Sequence, residues 1–565
     1  MNKKFRTMIT CALTATTLLS AVGCNPDGSI QLDPTKTQLY VFNYDGGVGS
    51  AWVDKAMQDF AADFANYSFE EGKTGVQFMP EKAKTSELQT IANSQNEVLF
   101  AEIANYPSLV HSNVLLDITD IMDVSLNEYL VDENGQAVTE DTEAIIDKMY
   151  EESIDFYSYK NDTFYALPHF AVFSGITYNK ALFDKKGFYF AKTPSGTELY
   201  QQFVQVGNLE KSCGPDGQYG SSDDGLPASW EEMFLLCDYM AERTVDPFVW
   251  LGATDGRAGY FNYLLNNIYL NLAGAEQARY NYTFDSGSKE ITIVERFDAN
   301  GNPVTRKEVV NSSNYGEVLN CELAKYQAIA VADRILDTTG WQSDICDTGS
   351  SSMIGTQEAF IYSYNEAERP IAMLVEGSYW YNESAQAGKI EDAITLYQEE
   401  YTENNDYQIL PLPRVYEGRA ADIADKPMHK TVVADQNDTV ACINAKIASN
   451  PAKVKLAKMF LAYCYTAEKL AEFTEITRVT RSLKYEVDAQ LSGWGKTVWD
   501  FTKNSDVVFP YSSSEHFLNN RERLSMHINN SFWNSTSTNK AYNGLKGANK
   551  KATDYFTTYM NRAWS

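Results

Sequence analysis

The sequence predicts an α/β protein built from two domains, and three observations support this prediction. The chain has 565 residues, more than a single hydrophobic core usually accommodates. Its first structured segment, residues 38–64, has the pattern of a short apolar strand, a glycine loop and an amphipathic helix, with which many α/β domains begin. Residues 167–187 then change from an extended to a helical pattern, as expected where a chain passes from one domain into the next.

The N-terminus has the pattern of a secretion signal. Three basic residues precede an apolar run over residues 8–22, which ends in small residues just before Cys24. This junction resembles the lipobox of bacterial lipoproteins, which implies removal of residues 1–23 and attachment of diacylglycerol to the Cys24 sulfur. Ordinary signal cleavage beside an incidental cysteine is the alternative. Residues 24–36 are rich in Pro, Asp, Gly, Ser and Thr and are predicted to form a flexible tether.

The chain is strongly acidic, with 76 Asp and Glu against 47 Lys and Arg and a formal net charge of -29. Such a surface repels nucleic acid, which is therefore not expected as a partner, and favours a neutral or cationic ligand over a polyanion. Beyond the signal, no stretch approaches the run of about 18 apolar residues that a membrane span needs. The sequence therefore predicts a protein that is tethered to a membrane and not embedded in it.

Six cysteines remain after the signal and the tether. An even number in an exported chain permits disulfides, and pairing in sequence order is the least demanding arrangement. Buried free thiols are the other possibility, and the spacing fits no metal-binding motif. The six are Cys213, Cys237, Cys321, Cys346, Cys442 and Cys464.

Residues 213–225 form a compact polar loop with three carboxylates, Asp216, Asp223 and Asp224. Several oxygen ligands on a glycine-rich loop suit a hard cation, so the loop is a candidate site for a structural calcium ion. The spacing is not that of an EF-hand, and a solvated turn is the alternative interpretation. No other cofactor is expected.

Capping residues, turn residues and apolar patterns predict several further helices and strands. Ser229 and Glu232 have the spacing of a capping box at the start of a helix, and Asn300-Gly301 predicts a hairpin over residues 290–310. Asn450-Pro451 supplies a cap and a first-turn proline for another helix. Strands are predicted near residues 75–79, 98–103, 370–375, 407–413 and 439–443, and helices near residues 85–94 and, rich in Tyr and Asn, 260–272.

The glycine loop at residues 44–50 invites comparison with phosphate-binding loops. It lacks the Lys-Ser/Thr ending of a P-loop and the G-x-G-x-x-G spacing of a dinucleotide turn. We therefore do not expect it to bind a nucleotide.

Five segments match, in collinear order, the motifs of one protein family. Each motif is weak alone, whereas five in order beside a lipobox are fairly specific. On these segments the chain resembles the extracellular solute-binding proteins of ABC importers, in the carbohydrate-binding group that includes the maltose-binding type. The segments are residues 174–183 (SGITYNKALF), 227–234 (PASWEEMF), 371–380 (IAMLVEGSYW), 410–413 (LPLP) and 442–461.

The resemblance implies a periplasmic-binding-protein-like fold, in which two α/β lobes are joined by crossing hinge segments and close over a ligand. The crossings are expected near residues 170–174, 410–414 and 478–483. The expected division is lobe 1 over residues 37–170 and 412–480, and lobe 2 over residues 171–411 and 481–565, with insertions near residues 186–226 and 290–310.

The same resemblance implies a function and its partners. The expected protein is a monomer, held at the outer face of the bacterial cytoplasmic membrane through Cys24. It would capture a small carbohydrate and deliver it to ABC permease subunits in the membrane.

Candidate ligand contacts follow from the chemistry of a sugar. A sugar has apolar ring faces and a rim of hydroxyls, so its site needs aromatic rings and carboxylates, amides or Arg. Open α/β sheets place ligands just past the carboxyl ends of their strands. The candidates at such positions are Tyr44, Asp45, Glu102, Asn105 and Tyr106 in lobe 1, Trp250, Tyr379 and Trp380 in lobe 2, and His169 and Arg481 beside the crossings.

Two other functions fit parts of the sequence. A secreted glycan-degrading enzyme would need two carboxylates set about 5 to 10 Å apart across the scissile bond, and the sequence permits such a pair. It contains no H-E-x-x-H or G-x-S-x-G site, which favours binding over catalysis. A surface glycan-docking lipoprotein would share the fold and lack the permease. An amino acid or a peptide is an alternative ligand.

Overall fold

The computed structural model of the chain describes residues 31–83, 91, 94–102, 106–158, 160–192, 203–204, 210–251, 258–348, 352–363, 369–397, 407–435, 439–487, 491–509, 541–547 and 551–561. Within these ranges, no helix is both long enough and apolar enough to cross a membrane.

The described residues form a mixed set of strands and helices. The strands are β1 Thr37–Tyr44, β2 Val76–Ala83, β3 Val98–Glu102, β4 Ala166–Pro168, β5 Phe170–Ala171, β6 Ser174–Asn179, β7 Asp246–Val249, β8 Glu290–Phe297, β9 Pro303–Val309, β10 Ile371–Gly377, β11 Tyr407–Ile409, β12 Val432–Ala434, β13 Thr439–Ile443, β14 Thr480–Arg481 and β15 Asp506–Val508. The helices are α1 Ala51–Asp63, α2 Tyr106–His111, α3 Leu126–Tyr129, α4 Glu151–Tyr157, α5 Lys180–Lys186, α6 Trp230–Ala241, α7 Ala258–Thr283, α8 Tyr315–Asn320, α9 Leu323–Asp337, α10 Ile345–Thr348, α11 Met353–Tyr362, α12 Trp380–Gln386, α13 Lys389–Tyr397, α14 Ala420–Ile423, α15 Pro451–Tyr463, α16 Ala467–Thr477, α17 Gly493–Lys503 and α18 Ala552–Met560.

Lobe 1 is built on a five-stranded sheet with the order β2-β1-β3-β13-β4. Strand β1 runs parallel to β2 and β3, whereas β13 runs antiparallel to β3 and β4. Every residue of β13 is buried, because helices cover the sheet and leave no solvent-facing side at that strand. The rings of Phe60 on α1 and Phe460 on α15 meet with their centroids 5.4 Å apart, so both helices share one core.

Lobe 2 is built on a four-stranded sheet with the order β11-β6-β10-β7. All seven residues of β10 are buried, and this strand runs antiparallel to β6 and parallel to β7. The long helix α7 packs beside the sheet and is interrupted at Gly274, whose φ of 78° departs from helical geometry. The two lobes therefore have separate sheets and separate hydrophobic cores.

The first and third crossing segments lie side by side between the lobes. Phe170 packs in the core of lobe 1 and Phe173 packs in the core of lobe 2, so the first crossing runs between them. Strand β5 of this crossing pairs antiparallel with β14. On the third passage, Tyr485 still packs in lobe 1 and Trp494 in lobe 2.

The second crossing lies later in the chain than the expected residues 410–414. Strand β12 pairs with β15, and its three residues pack in the core of lobe 2 together with Leu412. The next strand, β13, already belongs to the sheet of lobe 1. The chain thus returns to lobe 1 after Ala434, because the apolar residues before that point are buried in lobe 2.

The local signals at helix ends are mostly confirmed. Helix α5 ends at Gly187, which is left-handed with φ 69°, and the Asn450 side chain accepts hydrogen bonds from two backbone N–H groups at the start of α15. Ser229 Oγ accepts from the Glu232 N–H at 3.1 Å, as a capping box requires. The Glu232 carboxylate, however, accepts from the N–H groups of Ala228 and Ala420.

The predicted hairpin over residues 290–310 is confirmed as β8 and β9. Its inner side chains Ile293 and Val294 are buried in lobe 2, so this insertion contributes to the core and is not merely a surface addition. The strand expected near residues 407–413 is limited to β11, and most of the helix expected near residues 85–94 lies outside the described residues.

The cysteines and the aspartate loop have structural roles. All six cysteines are free thiols, so pairing in sequence order is not found. In the loop, Asp223 accepts hydrogen bonds from Ser221 Oγ and, at 3.1 Å, from the Asp216 N–H, and Asp224 accepts from the Gly220 N–H at 2.8 Å. These carboxylates hold the loop in shape. Among the described residues no group of three or more His, Cys, Asp or Glu side chains could hold a metal ion.

Candidate functional site

A cleft of about 270 Å³ lies between the lobes, directly beside the crossing segments. Both lobes and the crossings contribute to its walls. The lining residues are Tyr44, Gly46, Gly47, Glu102, Phe170, Val172, Phe173, Ser174, Tyr260, Tyr263, Asn266, Asn267, Met353, Tyr379, Glu383, Ala434 and Thr439.

The lobe 1 wall is formed at the ends of two neighbouring strands. Tyr44 is the last residue of β1 and Glu102 is the last residue of β3, and these strands are parallel. Because their carboxyl ends meet at one edge of the sheet, the phenol and the carboxylate both reach the cleft.

The lobe 2 wall is formed by the starts of three helices. The hydroxyls of Tyr260 on α7 and of Tyr379 just before α12 lie 3.5 Å apart, and the Tyr260 hydroxyl donates to Met353 Sδ on α11 at 2.8 Å. Glu383 accepts a hydrogen bond from Gln357 Nε2 at 3.0 Å. These contacts orient the two rings and the carboxylate.

The electrostatics of the lobe 2 wall keep its phenols protonated at neutral pH. Burial raises the pKa of Tyr379 well above its ordinary value, and the nearby Glu376 carboxyl adds to this effect. Burial raises the pKa of Tyr260 in the same way. Each hydroxyl therefore keeps its one proton, which Tyr260 donates to Met353 Sδ and Tyr379 can donate to the Tyr260 oxygen. The described lining contains the carboxylates of Glu102 and Glu383 but no Lys, Arg or His.

The floor of the cleft is the hinge itself. Thr439 Oγ1 donates to the Phe170 carbonyl at 2.7 Å and accepts from the Phe170 N–H at 3.2 Å, which ties the second crossing to the first. On the lobe 2 side, the Ser378 N–H donates to the Phe173 carbonyl at 2.8 Å. These hydrogen bonds fix the crossing segments at the base of the cleft.

The glycine loop of lobe 1 contacts helix α12 of lobe 2. Asn382 Nδ2 on α12 donates to the Gly47 carbonyl at 2.8 Å, and a Cβ at position 47 would lie 3.2 Å from the Tyr379 Cβ. Gly47 also has φ 71°, a conformation that other residues rarely adopt. We call this the loop–helix contact. It joins the lobes beside the cleft.

Some of the candidate residues predicted from the sequence lie in or beside the cleft, whereas others are buried away from it. Tyr44, Glu102 and Tyr379 line the cleft. Asp45 lies beside them in the glycine loop, where it accepts a hydrogen bond from Ser50 Oγ. Asn105 lies outside the described residues.

The other candidates are core residues, and packing is the role the structure supports. Trp250 and Trp380 are 1% and 0% exposed, and the Trp380 ring is surrounded by aromatic neighbours, including Trp494 at 5.5 Å. Tyr106 is buried, and its hydroxyl donates to the Tyr157 carbonyl at 2.8 Å. These three rings pack against residues of their own lobes and do not line the cleft.

His169 and Arg481 are brought together, but below the surface. Both are buried, and Arg481 Nη1 donates to His169 Nδ1 at 2.5 Å. The guanidinium also lies over the ring of Phe473, 4.0 Å from its centroid. This pair supports the hinge at β5 and β14 and does not line the cleft.

The sequence reasoning missed most of the lobe 2 wall. The strand-end rule does not select Tyr260, Tyr263, Asn266 and Asn267, because they lie on a helix. Their spacing of three to four residues places them on one face of α7, and this polar and aromatic stripe was the available signal. Glu383 and Met353 carried no comparable signal.

No protein-family model and no curated protein matches the sequence. Among solved structures, the chain is similar to a chitin oligosaccharide binding protein, with TM-score 0.51 and 13% identity over 94% of this chain and 99% of that chain. It is similar to a mannobiose complex of BlMnBP1, a binding protein of an ABC transporter from Bifidobacterium animalis subsp. lactis, with TM-score 0.51 and 13% identity over 94% and 96% of the two chains. It is also similar to the solute-binding protein RafE in complex with raffinose, with TM-score 0.50 and 11% identity over 93% and 99%.

These likenesses cover nearly the whole of each chain, at low identity. They confirm the predicted fold, that of the two-lobed solute-binding proteins.

Proposed function

We propose that this chain is a lipid-anchored, extracytoplasmic solute-binding protein that captures an oligosaccharide by hinge closure and delivers it to an ABC permease. The observation that carries the proposal is the cleft at the hinge, whose lining combines tyrosines from both lobes with carboxylates and amides. That combination suits a ligand with apolar ring faces and a rim of hydroxyls.

Named residues have distinct roles in this proposal. The rings of Tyr44, Tyr263 and Tyr379 supply flat surfaces for sugar rings, and Glu102 and Glu383 accept hydrogen bonds from sugar hydroxyls. The phenol of Tyr260 and the amides of α7 complete the polar rim. Micromolar affinity corresponds to about 8 kcal/mol, which a few such contacts can supply after the cost of ordering and closure.

Anchoring and delivery rest on the N-terminal pattern. The signal-like segment, Cys24 and the tether favour a lipoprotein that stays near a membrane, where a permease can receive its ligand. We propose that the mature chain acts as a monomer. Mass spectrometry of the membrane fraction should find diacylglycerol on Cys24, and sedimentation should give the monomer mass.

The test is a thermal-shift screen of the mature protein over a carbohydrate panel, followed by calorimetry of the hits. A ligand that binds only the folded state raises the melting temperature by mass action. Tyr263→Ala and Glu383→Gln should each weaken the affinity about tenfold or more. Tyr219→Ala, which removes an exposed tyrosine of the 213–225 loop, is the matched control and should bind like the wild type.

The same oligosaccharides, when labelled, test the enzymatic alternative. Incubation with the mature protein should leave their chain length unchanged. Shortening that disappears in Glu102→Gln or Glu383→Gln would instead make the cleft an active site, because a pair of carboxylates is what glycoside hydrolysis needs.

A further inference from the structure

Lobe 2 contains a second cavity that is separate from the cleft. Its volume is about 730 Å³, compared with about 270 Å³ for the cleft. It lies between the 213–225 loop, the segment from β11 to Thr431, and helix α17. The two cavities have no lining residue in common.

The central feature of this cavity is a buried guanidinium with an incomplete set of partners. Arg414 lines the cavity and is 8% exposed, so its positive charge is largely removed from water. Its one hydrogen bond to a described residue is from Nη2 to Thr431 Oγ1 at 3.0 Å, and Nε is buried without a partner. No described carboxylate forms an ion pair with it. A guanidinium has five N–H donors, so this site is short of an acceptor, and preferably of a charged one.

The cavity is also lined by the carboxylates of Asp216 and Asp223. Asp223 is 5% exposed, and burial raises its pKa to about 6. Asp223 and Asp216 are close enough to Arg414 to act on its charge, but neither makes a salt bridge with it. The cavity therefore combines one buried cation, which has no ion-pair partner among the described residues, with carboxylates that can accept hydrogen bonds from hydroxyl groups.

We propose that this cavity binds a small hydroxylated carboxylate, with the chemistry of a uronic acid. Its carboxylate would pair with Arg414, and its hydroxyls would donate to Asp223 and Asp216. This second site is independent of the carbohydrate cleft and goes beyond the function proposed above.

The charges in the cavity argue for this ligand class over its rivals. A neutral sugar would leave the Arg414 guanidinium unpaired, and an unpaired buried charge is costly. A phosphate or another dianion would meet the repulsion of Asp216 and Asp223 at close range. Two lysines also line the cavity. Lys496 is paired with Asp500 at 2.7 Å and Lys430 is exposed to solvent, so neither adds a strong field for a multiply charged anion. A ligand with one carboxylate and several hydroxyls can pair with the Arg414 guanidinium and also donate hydrogen bonds to Asp216 and Asp223.

The test is calorimetry of the full mature chain with D-glucuronate and D-galacturonate as probes, and with D-glucose and acetate as controls. At least one sugar acid should bind the wild type more tightly than either control. Arg414→Gln should weaken that binding at least tenfold, and Arg414→Lys should recover part of it, because lysine restores the charge without the forked geometry. Absence of sugar-acid binding to the wild type at concentrations of about 10 mM would overturn the proposal.

Two further variants test whether the sugar acid binds in this cavity if Arg414→Gln fails to fold. Asn504→Trp places a large ring on an exposed position at the mouth of the cavity, so it should block the sugar acid without burying a charge. Tyr379→Ala alters the cleft and should leave sugar-acid binding unchanged. Sugar-acid binding that survives Asn504→Trp, or that is lost in Tyr379→Ala, would refute the second site and point to the cleft.

Discussion

At the scale of single residues, His169 is the group with the clearest dependence on pH. Arg481 can only donate, so the hydrogen bond between them requires His169 Nδ1 to be unprotonated. Burial lowers the pKa of His169 well below its ordinary value, and the positive charge of Arg481 adds to this effect. The folded protein therefore keeps His169 neutral, whereas the unfolded chain takes up a proton below about pH 6.5.

We expect this histidine to destabilise the protein in acid. Because the unfolded state binds more protons, stability falls as the pH drops below about 6.5, by up to about 1.4 kcal/mol per pH unit from this one group. His169→Gln keeps an acceptor for Arg481 and does not titrate, so it should flatten the loss of melting temperature between pH 6.5 and 5. An equally steep loss in the variant would show that other groups dominate the acid response.

Two adjacent aromatic residues should respond differently to truncation. Tyr379→Ala removes a ring from the cleft and should weaken oligosaccharide affinity about tenfold or more. Trp380→Ala empties a fully buried site and should destabilise the fold by about 3 to 5 kcal/mol. Calorimetric affinity and denaturant unfolding of both variants check the assignment. A stable Trp380→Ala protein with lost affinity would return Trp380 to the ligand site.

At the scale of elements, the loop–helix contact connects two segments that sequence patterns treat separately. The glycine loop follows β1 in lobe 1, and α12 follows β10 in lobe 2. Their hydrogen bond joins Asn382 to Gly47 across the boundary between the lobes. A contact of this kind stabilises the arrangement with the lobes together and not the fold of either lobe.

Loss of this contact should therefore affect closure more than folding. One neutral hydrogen bond is worth about 1 kcal/mol, so Asn382→Ala should weaken ligand affinity about fivefold, mostly through faster dissociation. Stopped-flow release of a bound oligosaccharide measures this change. Asn561→Ala, at the exposed C-terminal end of α18, is the matched control. Dissociation at the wild-type rate would remove the loop–helix contact from the closing mechanism.

The elements also show which parts of the fold can be predicted from local sequence patterns. The strand and helix around the glycine loop, the end of α5 at Gly187 and the cap at Asn450 were predictable, because each depends on neighbours within one or two turns. The path of residues 412–434 was not predictable in this way. Strand β12 stays in lobe 2 because it pairs with β15, which lies more than 70 residues later.

At the scale of the whole molecule, the described residues contain no disulfide. Burial raises the pKa of Cys442 and Cys464 to about 12, so at neutral pH these sulfurs are almost entirely uncharged thiols and react slowly. The other four cysteines of the described residues are also free, and of these six thiols Cys321 alone is partly exposed.

We expect thiol titration to confirm this state. Apart from Cys24, the denatured mature protein should react at six cysteines, whereas the native protein should react slowly and first at Cys321. A reducing agent should leave the melting temperature unchanged, because no crosslink restricts the unfolded chain. Fewer than six reactive thiols in denaturant would indicate disulfides formed after export.

The two-lobed fold was inferred from the resemblance of the collinear motifs to one protein family. Local chemistry was sufficient to predict the α/β class and two strand-end residues, Tyr44 and Glu102, that the structure places in the lining of the cleft. These features depend on periodicity, caps and the position of a residue after a strand. Tertiary packing separated Tyr379 in the cleft from Trp380 in the core, although the two are neighbours in the chain. It also brought α7 into the cleft and left Arg414 with an incomplete set of partners, because the exposure of a side chain depends on which distant elements pack over it.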